Sequence, residues 1–428
     1  MERYGAYKDS GVEWIGEIPA GWASERLKYL TTNRVMPADS DTGEYLGLEN
    51  VQPWTMRICR DQENPTDAAG IFYDVDCVLF GKLRPYLAKV VLPNSAGPCS
   101  SEFLVLIPNG INRVFLAYLL TSESFINEVN ALTYGVRMPR AGWDLIGNIR
   151  IPIPAFGEQQ AIADYLDAKT DEIDALVAEC EREVVLLHEY RKALISEVIA
   201  RGLQPEIPMR ESGIESVGLI PDGWNVYKLR WLCSFHNGDR GVNYPSAGDF
   251  QDEGIPFYGA DALIGDIADT TQARFITRER YDAMGGLKIK AFDTLYTLRG
   301  STIGKNAIAI QPEGTVASSL MGIRVRRFQD IDPWYLHYWL NSYQEFQQRD
   351  ACINGSTAPN LSAEDVAQYR IALPPRELQD EMVREIRKRI VFADGLIGDK
   401  QAMADKLREY RRSLISETVT GKFKVPGV

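Results

Sequence analysis

Glu189-Tyr-Arg-Lys-Ala-Leu-Ile-Ser-Glu197 returns 220 residues later as Glu409-Tyr-Arg-Arg-Ser-Leu-Ile-Ser-Glu417. Other segments repeat as well, and the longest shared pattern is Ser-Gly-x-Glu-x-x-Gly-x-Ile-Pro-x-Gly-Trp. The repeated pairs are Asp9–Trp22 with Glu211–Trp224, Leu116–Ser122 with Leu336–Ser342, and Asn148–Pro154 with Gln368–Pro374. A period of this length is too long for a solenoid and indicates a duplicated domain pair. The 428-residue chain is therefore predicted to be a tandem duplication of one unit, with pseudo-two-fold symmetry.

Each repeat ends in a long polar stretch that predicts a helix. Residues 158–201 contain no proline or glycine and follow the three–four alternation of a coiled-coil seam. The seam positions are Ile173, Val177, Cys180, Val184, Leu187, Arg191, Leu194 and Val198. The second stretch, from about Glu377 to Thr420, has a weaker seam at Ala393, Ile397, Lys400, Ala404, Leu407, Arg411 and Leu414. Gly395 and Gly398 each cost this helix about 1 kcal/mol relative to alanine, so we expect the two helices to pair as an antiparallel coiled coil.

The remainder of each repeat mixes short β-like runs with turns. The runs are Val75–Phe80, Phe103–Ile107, Thr294–Leu298 and Ala307–Ile310, and an apolar helix is predicted near Leu116–Ile126 and Tyr335–Phe346. The predicted fold class is α+β, with two tandem globular heads that are each followed by a long helix. The predicted boundaries are 1–155 for the first head, 156–203 for its helix, 204–375 for the second head, and 376–428 for the second helix and C-terminal tail.

Positive charge gathers in stretches without acidic residues, at 77–101, 129–143, 294–312 and 314–329. Such loops beside strands suit a DNA-facing surface, because phosphates attract Lys and Arg, while Arg, Asn, Ser and Thr also read base edges. The polar stretch 354–360 lies opposite 134–140 in the repeat. The candidate DNA-binding residues are Lys82, Arg84, Tyr86, Lys89, Arg137, Arg140, Arg240, Asn243, Arg299, Ser301, Thr302, Lys305, Asn354, Ser356, Thr357 and Asn360. For any single basic residue, an ordinary solvated loop is the alternative.

The repeated Tyr-Arg pairs of the helices allow two interpretations. Tyr190-Arg191 and Tyr410-Arg411 either close the coiled coil or form a docking face for another protein. The candidate partner-binding residues are Leu187, Tyr190, Arg191, Leu194, Leu407, Tyr410, Arg411 and Leu414. The repeated Ile-Pro-x-Gly-Trp segment is interpreted as structural, since its turn aims a Trp into a core.

We find no catalytic motif. Gly300-Ser-Thr-Ile-Gly-Lys305 lacks the spacing of a phosphate-binding loop, and Asn306 stands where a Ser or Thr would hold magnesium. The three histidines and six dispersed cysteines show no metal-ligand spacing. We therefore expect no catalytic residue, metal site or cofactor in this chain. No apolar run predicts a membrane span, and the N-terminus does not look like a secretory signal.

Several segments resemble the specificity subunits of type I restriction–modification systems. They are the repeated opening, the Tyr-Arg-x-x-Leu-Ile-Ser-Glu helix ends, Leu79-Phe-Gly-Lys-Leu-Arg-Pro-Tyr86, Gly238-Asp-Arg-Gly-Val-Asn-Tyr-Pro245 and Ile153-Pro-Ala-Phe-Gly-Glu-Gln-Gln160. The resemblance covers essentially the whole chain. It implies two target-recognition domains, each of which reads one half of a split DNA site, separated by an antiparallel helical spacer. Glu377-Leu-Gln-Asp-Glu381 departs from the Glu-Gln-Gln pattern that opens the first helix, which leaves the partner contacts there undefined.

The resemblance also implies partners. It predicts binding to double-stranded DNA, to two modification subunits with adenine-N6 methyltransferase activity, and to restriction subunits with an ATP-driven translocase. S-adenosylmethionine, ATP and magnesium are expected in those partners, and the chain itself is expected to be a non-catalytic protein of the prokaryotic cytoplasm.

Two other classes of protein stay open. The first is a coiled-coil adaptor whose heads bind proteins rather than DNA, which the net charge of −12 favours slightly. The second is a nuclease built from scattered carboxylates, which would cleave DNA with magnesium in the absence of other subunits.

Overall fold

The chain forms two units, each of which combines one head with parts of both long helices. The structure is a computed structural model that describes residues 2–38, 43–59, 70–135, 137–204, 206–215, 217–353 and 360–427. The first unit comprises Met1–Arg182 and Lys400–Val428, and the second comprises Glu183–Asp399. The predicted division separates heads from helices, whereas the contacts group each head with the helix segments that pack on it.

The first head is built on an antiparallel four-stranded sheet. Its strands lie in the order Thr31–Arg34, Phe103–Pro108, Val78–Gly81 and Val90–Val91. The smaller sheets of the described part of this head contain Tyr7–Asp9, Glu17–Pro19, Ala23–Arg26, Pro37–Ala38, Gly70–Tyr73, Gly97–Cys99 and Arg150–Ile153. Its α-helices are Leu27–Leu30, Arg113–Thr121, Glu123–Ala131 and Trp143–Ile146, with 3-10 turns at Leu48–Asn50 and Pro85–Leu87.

The second head repeats this sheet with the same strand order. The strands are Cys233–Asn237, Leu320–Val325, Thr294–Thr297 and Asn306–Ile308. A second four-stranded sheet is added, in the order Phe250–Gln251, Arg274–Ile276, Ile255–Tyr258 and Thr315–Val316. The strand pairs are Met209–Glu211 with Leu219–Pro221 and Asn225–Lys228 with Arg370–Leu373. The helices are Leu229–Leu232, Arg278–Ala283, Pro333–Leu340, Tyr343–Cys352 and Ala363–Gln368, with 3-10 turns at Ala247–Asp249, Ala260–Ala262 and Thr270–Gln272.

Each apolar helix predicted near the end of a head is in fact a pair of helices. The break falls at Ser122 in the first head and at Asn341–Ser342 in the second. Ser122 Oγ donates to Leu119 O at 2.6 Å, and Ser342 Oγ donates to Trp339 O at 2.7 Å. Both serines have extended backbone and stand at the N-cap position of the second helix of each pair, so the prediction of one helix was wrong at this point.

The long helices span Phe156–Arg201 and Arg376–Val419. In the first unit they pair antiparallel: as the residue number increases along the first helix, the number of the residue it contacts on the second helix decreases. Those contacts are Asp174 with Arg411 and Glu181 with Arg408, and Tyr165 meets Phe423 just beyond the end of the second helix. In the second unit Arg191 meets Asp394, and both helices contribute to one core, through Leu194, Ile195, Val198 and Ile199 on the first helix and Met382, Val383, Ile386 and Ile390 on the second.

The two long helices start with the same hydrogen bonds. Gln159 accepts from Asn112 N at 2.7 Å, and Gln379 accepts from Asp332 N at 2.9 Å. Each glutamine also donates to the carbonyl of the proline five residues before it. Asn112 and Asp332 in turn cap the helices that follow them. The duplication therefore extends to individual side-chain contacts.

The Trp of each Ile-Pro-x-Gly-Trp segment lies in a core, as predicted. Trp22 and Trp224 are buried, with exposed fractions of 2% and 1%. Gly421, with a φ of +73°, passes close to the first of these rings. Among the described residues, we find no helix that is both long and apolar enough to cross a membrane.

Candidate nucleic-acid interface

In each head, two loops that are distant in the sequence lie side by side. In the first head, Leu83 pairs with Arg140, and Arg84 N donates to Pro139 O at 2.7 Å. In the second head, Arg299 pairs with Asn360, and Leu361 N donates to Leu298 O at 3.0 Å. In each head, candidate residues from two separate stretches of the sequence therefore lie together.

The backbone of each loop turns an arginine outwards. In the first head, Arg84 has a left-handed φ of +50° and precedes Pro85, which is buried. Ala88 closes the turn with a φ of +45°. Left-handed backbone at residues other than glycine costs on the order of 1 kcal/mol each. In the second head, Gly300 and Gly304 supply this conformation without that cost, with φ values of +86° and +87°.

Three arginines of these surfaces, Arg84, Arg137 and Arg299, are exposed and have no side-chain partner among the described residues. Exposed neighbours in these loops are Tyr86, Ser301, Thr302 and Asn360, while Lys82 is half-buried. A guanidinium without an internal partner keeps all five of its donors for an external one. Phosphate oxygens and guanine edges are ligands that arginine binds in a bidentate manner.

Other candidates already have partners within their own head. Arg140 binds Glu102 through two bonds, of 2.7 and 3.1 Å. Lys89 Nζ donates to Leu48 O at 2.6 Å, and burial lowers the pKa of Lys89. The remaining bonds are Lys305 Nζ to Ala260 O at 3.1 Å, Asn243 Nδ2 to Ala283 O at 2.8 Å and Arg240 Nη2 to Ser318 O at 3.2 Å. In this structure these side chains brace the loops, so their contact with DNA stays a prediction.

Asn354, Ser356 and Thr357 lie outside the described residues. Two exposed side chains that sequence reasoning missed lie in the first head beside Arg137. They are Tyr134, which is 63% exposed, and Met138, which is 52% exposed. The available signal was their place beside Arg137 in the stretch 134–140, because aromatic side chains beside arginines suit stacking on bases.

The structure separates the two interpretations of the Tyr-Arg pairs. Tyr190 and Tyr410 are exposed, whereas Arg411 is only 5% exposed and Arg191 is bound by two carboxylates. Leu194 and Leu414 are also buried, and Leu187 and Leu407 are half-buried. Both arginines and both buried leucines pack inside their own unit, which favours the interpretation that they close the helix pair, and partner contact through them stays a prediction. The exposed tyrosines stay available.

The fold and site define a duplicated protein with two comparable arginine-bearing surfaces. Residues 87–183 and 221–388 match the family model for the type I restriction modification DNA specificity domain. These spans cover more than half of the chain, and the chain belongs to this family.

Relatives with curated names point to the same family. The type I restriction enzyme MjaVIII specificity subunit of Methanocaldococcus jannaschii is 23% identical over 321 residues, which cover 74% of this chain and 71% of that protein. The MjaIX specificity subunit of the same organism is 21% identical over 437 residues, with 96% and 95% covered. The EcoBI specificity subunit of Escherichia coli is 22% identical over 317 residues, with 73% and 66% covered.

A solved structure from a study of complex assembly and conformational transition of the type I R-M system has the same fold. The TM-score is 0.69 with 18% sequence identity, and the alignment covers 94% of this chain and 98% of that one. At this identity the likeness supports the fold of the α+β heads and long helices alone.

Proposed function

We propose that this chain recognises DNA for a type I restriction–modification enzyme, and that each head reads one half of a split site. The observation that carries this proposal is the repeated loop pair. Arg84 and Arg299 are exposed in equivalent loops that follow equivalent strands of the two heads. Two equivalent surfaces in one chain suit a target in two parts.

The heads read sequence through arginine and its polar neighbours. A guanidinium can bind O6 and N7 of guanine together, and such a contact is worth about 1–3 kcal/mol of discrimination. Ser301, Thr302 and Asn360 add hydroxyl and amide groups beside Arg299 in the second head. The first head offers Tyr86 and Tyr134 instead, which are 47% and 63% exposed. The two surfaces therefore differ in chemistry, and we expect the two half-sites to differ in sequence.

The chain is proposed to lack catalytic activity and to act with partners. Two modification subunits would bring the adenine-N6 methyltransferase with its S-adenosylmethionine, and restriction subunits would bring the ATP- and magnesium-dependent translocase. The net charge of −12 supports this division, since partner subunits would then neutralise most of the phosphates. Exposed Tyr190 and Tyr410 are candidate contacts for those subunits.

Genome methylation tests the proposal directly. The chain is expressed with its cognate modification subunit in a host without N6-methyladenine, and the host genome is sequenced for that base. We expect one split motif, with two short specified blocks and a gap of fixed length. A soluble, associated pair of proteins that methylates no motif would contradict the proposal and favour the adaptor. Magnesium-dependent cleavage by the purified chain would contradict the non-catalytic role.

A further inference from the structure

Arg411 fastens the first head to both long helices. It comes from the second helix, is 5% exposed, and its Nε lies 2.9 Å from Asp174 Oδ1 of the first helix. Its Nη1 donates to Trp54 O of the head at 2.7 Å. Arg57 of the same head loop binds Asp174 from the other side, at 3.1 Å. These four residues, Trp54, Arg57, Asp174 and Arg411, are called the first clasp.

The first clasp continues by backbone hydrogen bonds into the loop that carries Arg84. Trp54 N donates to Ala88 O at 3.3 Å. Ala88 ends the turn that begins at Arg84, with Ala88 N donating to Pro85 O at 2.8 Å. Trp54 holds its carbonyl towards Arg411 with a left-handed φ of +68°, which costs a tryptophan on the order of 1 kcal/mol or more. The clasp offsets this strain.

The second unit contains the same clasp at positions 220 residues away. Arg191 and Asp394 are the repeat equivalents of Arg411 and Asp174, and Arg191 Nε lies 3.3 Å from Asp394 Oδ1. The other end of the guanidinium binds Asp266, which belongs to the second head. In the second head the acceptor is the Asp266 carboxylate, whereas in the first head it is the backbone carbonyl of Trp54. The residues Arg191, Asp266 and Asp394 are called the second clasp.

The second clasp also leads to the loop that carries the exposed arginine. His337 Nε2 lies 3.3 Å from Asp266 Oδ1, and its Nδ1 lies 2.8 Å from Asn306 Oδ1. Asn306 Nδ2 donates to Gly304 O at 3.1 Å, within the loop from Arg299. Burial on its own raises the pKa of Asp266, but the hydrogen bond with His337 and the charge of Arg191 hold this pKa below its usual range. The carboxylate therefore stays charged and bound.

The repetition of the clasp indicates a function beyond packing. A buried ion pair is weak evidence for stability, because its desolvation cost offsets much of its attraction. Here the Arg–Asp pair recurs in both units although the head loops it holds are unrelated in sequence. In both units, a short series of contacts connects it to the loop with the exposed arginine, Arg84 or Arg299.

We infer that Arg411 with Asp174, and Arg191 with Asp394, are positioning residues for DNA reading. Each pair fixes the position of the arginine-bearing loop of its own head relative to the long helices. It thereby determines how strongly that head discriminates its half-site from other sequences. This inference rests on the proposed function. The arginines act through the loops and do not touch DNA themselves.

The test compares the methylated motif of the wild type with those of Arg411→Ala and Arg191→Ala, in the full assembly. Each base pair of a specific site is normally discriminated by about 1–3 kcal/mol, and we expect discrimination in one half of the motif to fall about tenfold. The two variants must relax opposite halves. Arg411→Lys and Arg191→Lys should restore discrimination only in part, because an ammonium lacks the fork that spans two acceptors.

Arg408→Ala is the matched control. Arg408 also joins the two helices, through Glu181, but it has no bond to a head loop among the described residues. We expect an unchanged motif for this variant. Relaxation of both halves by Arg411→Ala, relaxation of the same half by both clasp variants, or an unchanged motif in folded clasp variants would overturn the inference.

Amide hydrogen exchange separates this inference from the proposed function. In Arg411→Ala, exchange should accelerate at Trp54 N, which donates to Ala88 O, but not along the second long helix. A wild type that methylates no split motif would overturn the proposed function, and the DNA role of the clasps with it. Unchanged exchange at Trp54 would overturn the clasp itself, whatever the methylation result.

Discussion

Glu345→Gln should make the second unit clearly more stable at pH 8 and much less so at pH 5. Glu345 is 1% exposed and accepts a hydrogen bond of 2.5 Å from Tyr296 Oη. Burial raises the pKa of Glu345 from 4.5 to about 7, although Arg349 and the bond from Tyr296 oppose this rise. Glutamine has nearly the same shape as glutamate and also offers an oxygen that accepts a hydrogen bond, but it does not titrate.

The sign and the magnitude follow from this pKa. Between pH 4.5 and 7 the folded chain keeps the proton on Glu345 while the unfolded chain loses it, so the free energy of unfolding falls as pH rises. Above pH 7 the loss amounts to about 3 kcal/mol. With a urea slope of about 1–3 kcal/mol per molar, the unfolding midpoint of Glu345→Gln should exceed that of the wild type by about 1–3 M at pH 8.

The assay must report on the second unit alone. The full chain is equilibrated in urea at pH 5 or pH 8, receives a brief deuterium pulse at one common pH, and is digested. Peptides that contain Thr294–Thr297 then give the unfolded fraction of this unit. Exposed Glu197→Gln is the control in the same unit. Equal midpoint differences between wild type and Glu345→Gln at both pH values would refute the reasoning.

Three further predictions concern the helices, the cysteines and the reading loops. Gly395→Ala and Gly398→Ala should each raise the free energy of unfolding by about 0.5–1 kcal/mol, because the added Cβ meets no atom within 4 Å. Urea titrations measure this change, and a lower free energy of unfolding would show that these positions are constrained. Burial raises the pKa of Cys233 to about 12, so mass spectrometry should show no labelling of this thiol at pH 8 until the chain unfolds, and rapid labelling of the native chain would contradict its burial. Arg84→Ala and Arg299→Ala should each relax one half of the methylated motif, by about tenfold in discrimination. Equal loss on every sequence would instead mark a phosphate contact.

Local sequence patterns predicted the long helices well. Helix propensity and seam periodicity act over neighbouring turns, so residues 158–201 largely define the first long helix. The seam positions Ile173, Cys180, Ala393 and Ile397 are buried, as the alternation predicts. The helix break at Ser122 escaped prediction, because the apolar pattern continues through a residue that has extended backbone and caps the next helix.

The charge pattern predicted the exposed arginine surfaces only in part. A stretch without acids in the sequence is not free of acids in space, because strand pairing brings distant residues together. Arg324, in the acid-free stretch 314–329, is bound by Asp293 through two bonds of 2.7 Å. Arg140 meets Glu102 in the same way. Arg84 and Arg299 lie in turns that follow strands, are exposed, and have no side-chain partner in the part of the chain that the structure describes.

The two heads share the same four-stranded sheet but differ in the residues that pack beside the arginine-bearing loop. At equivalent positions the first head packs Phe80 on Phe125, with ring centroids 6.1 Å apart, where the second head joins Tyr296 to Glu345. Arg349 extends the polar group to Ile303 O, inside the loop of Arg299, at 3.1 Å. An apolar pair holds its loop at any pH, whereas a pair that shares a titrating proton does not. On the proposed function, recognition of one half-site should therefore weaken above pH 7 before recognition of the other.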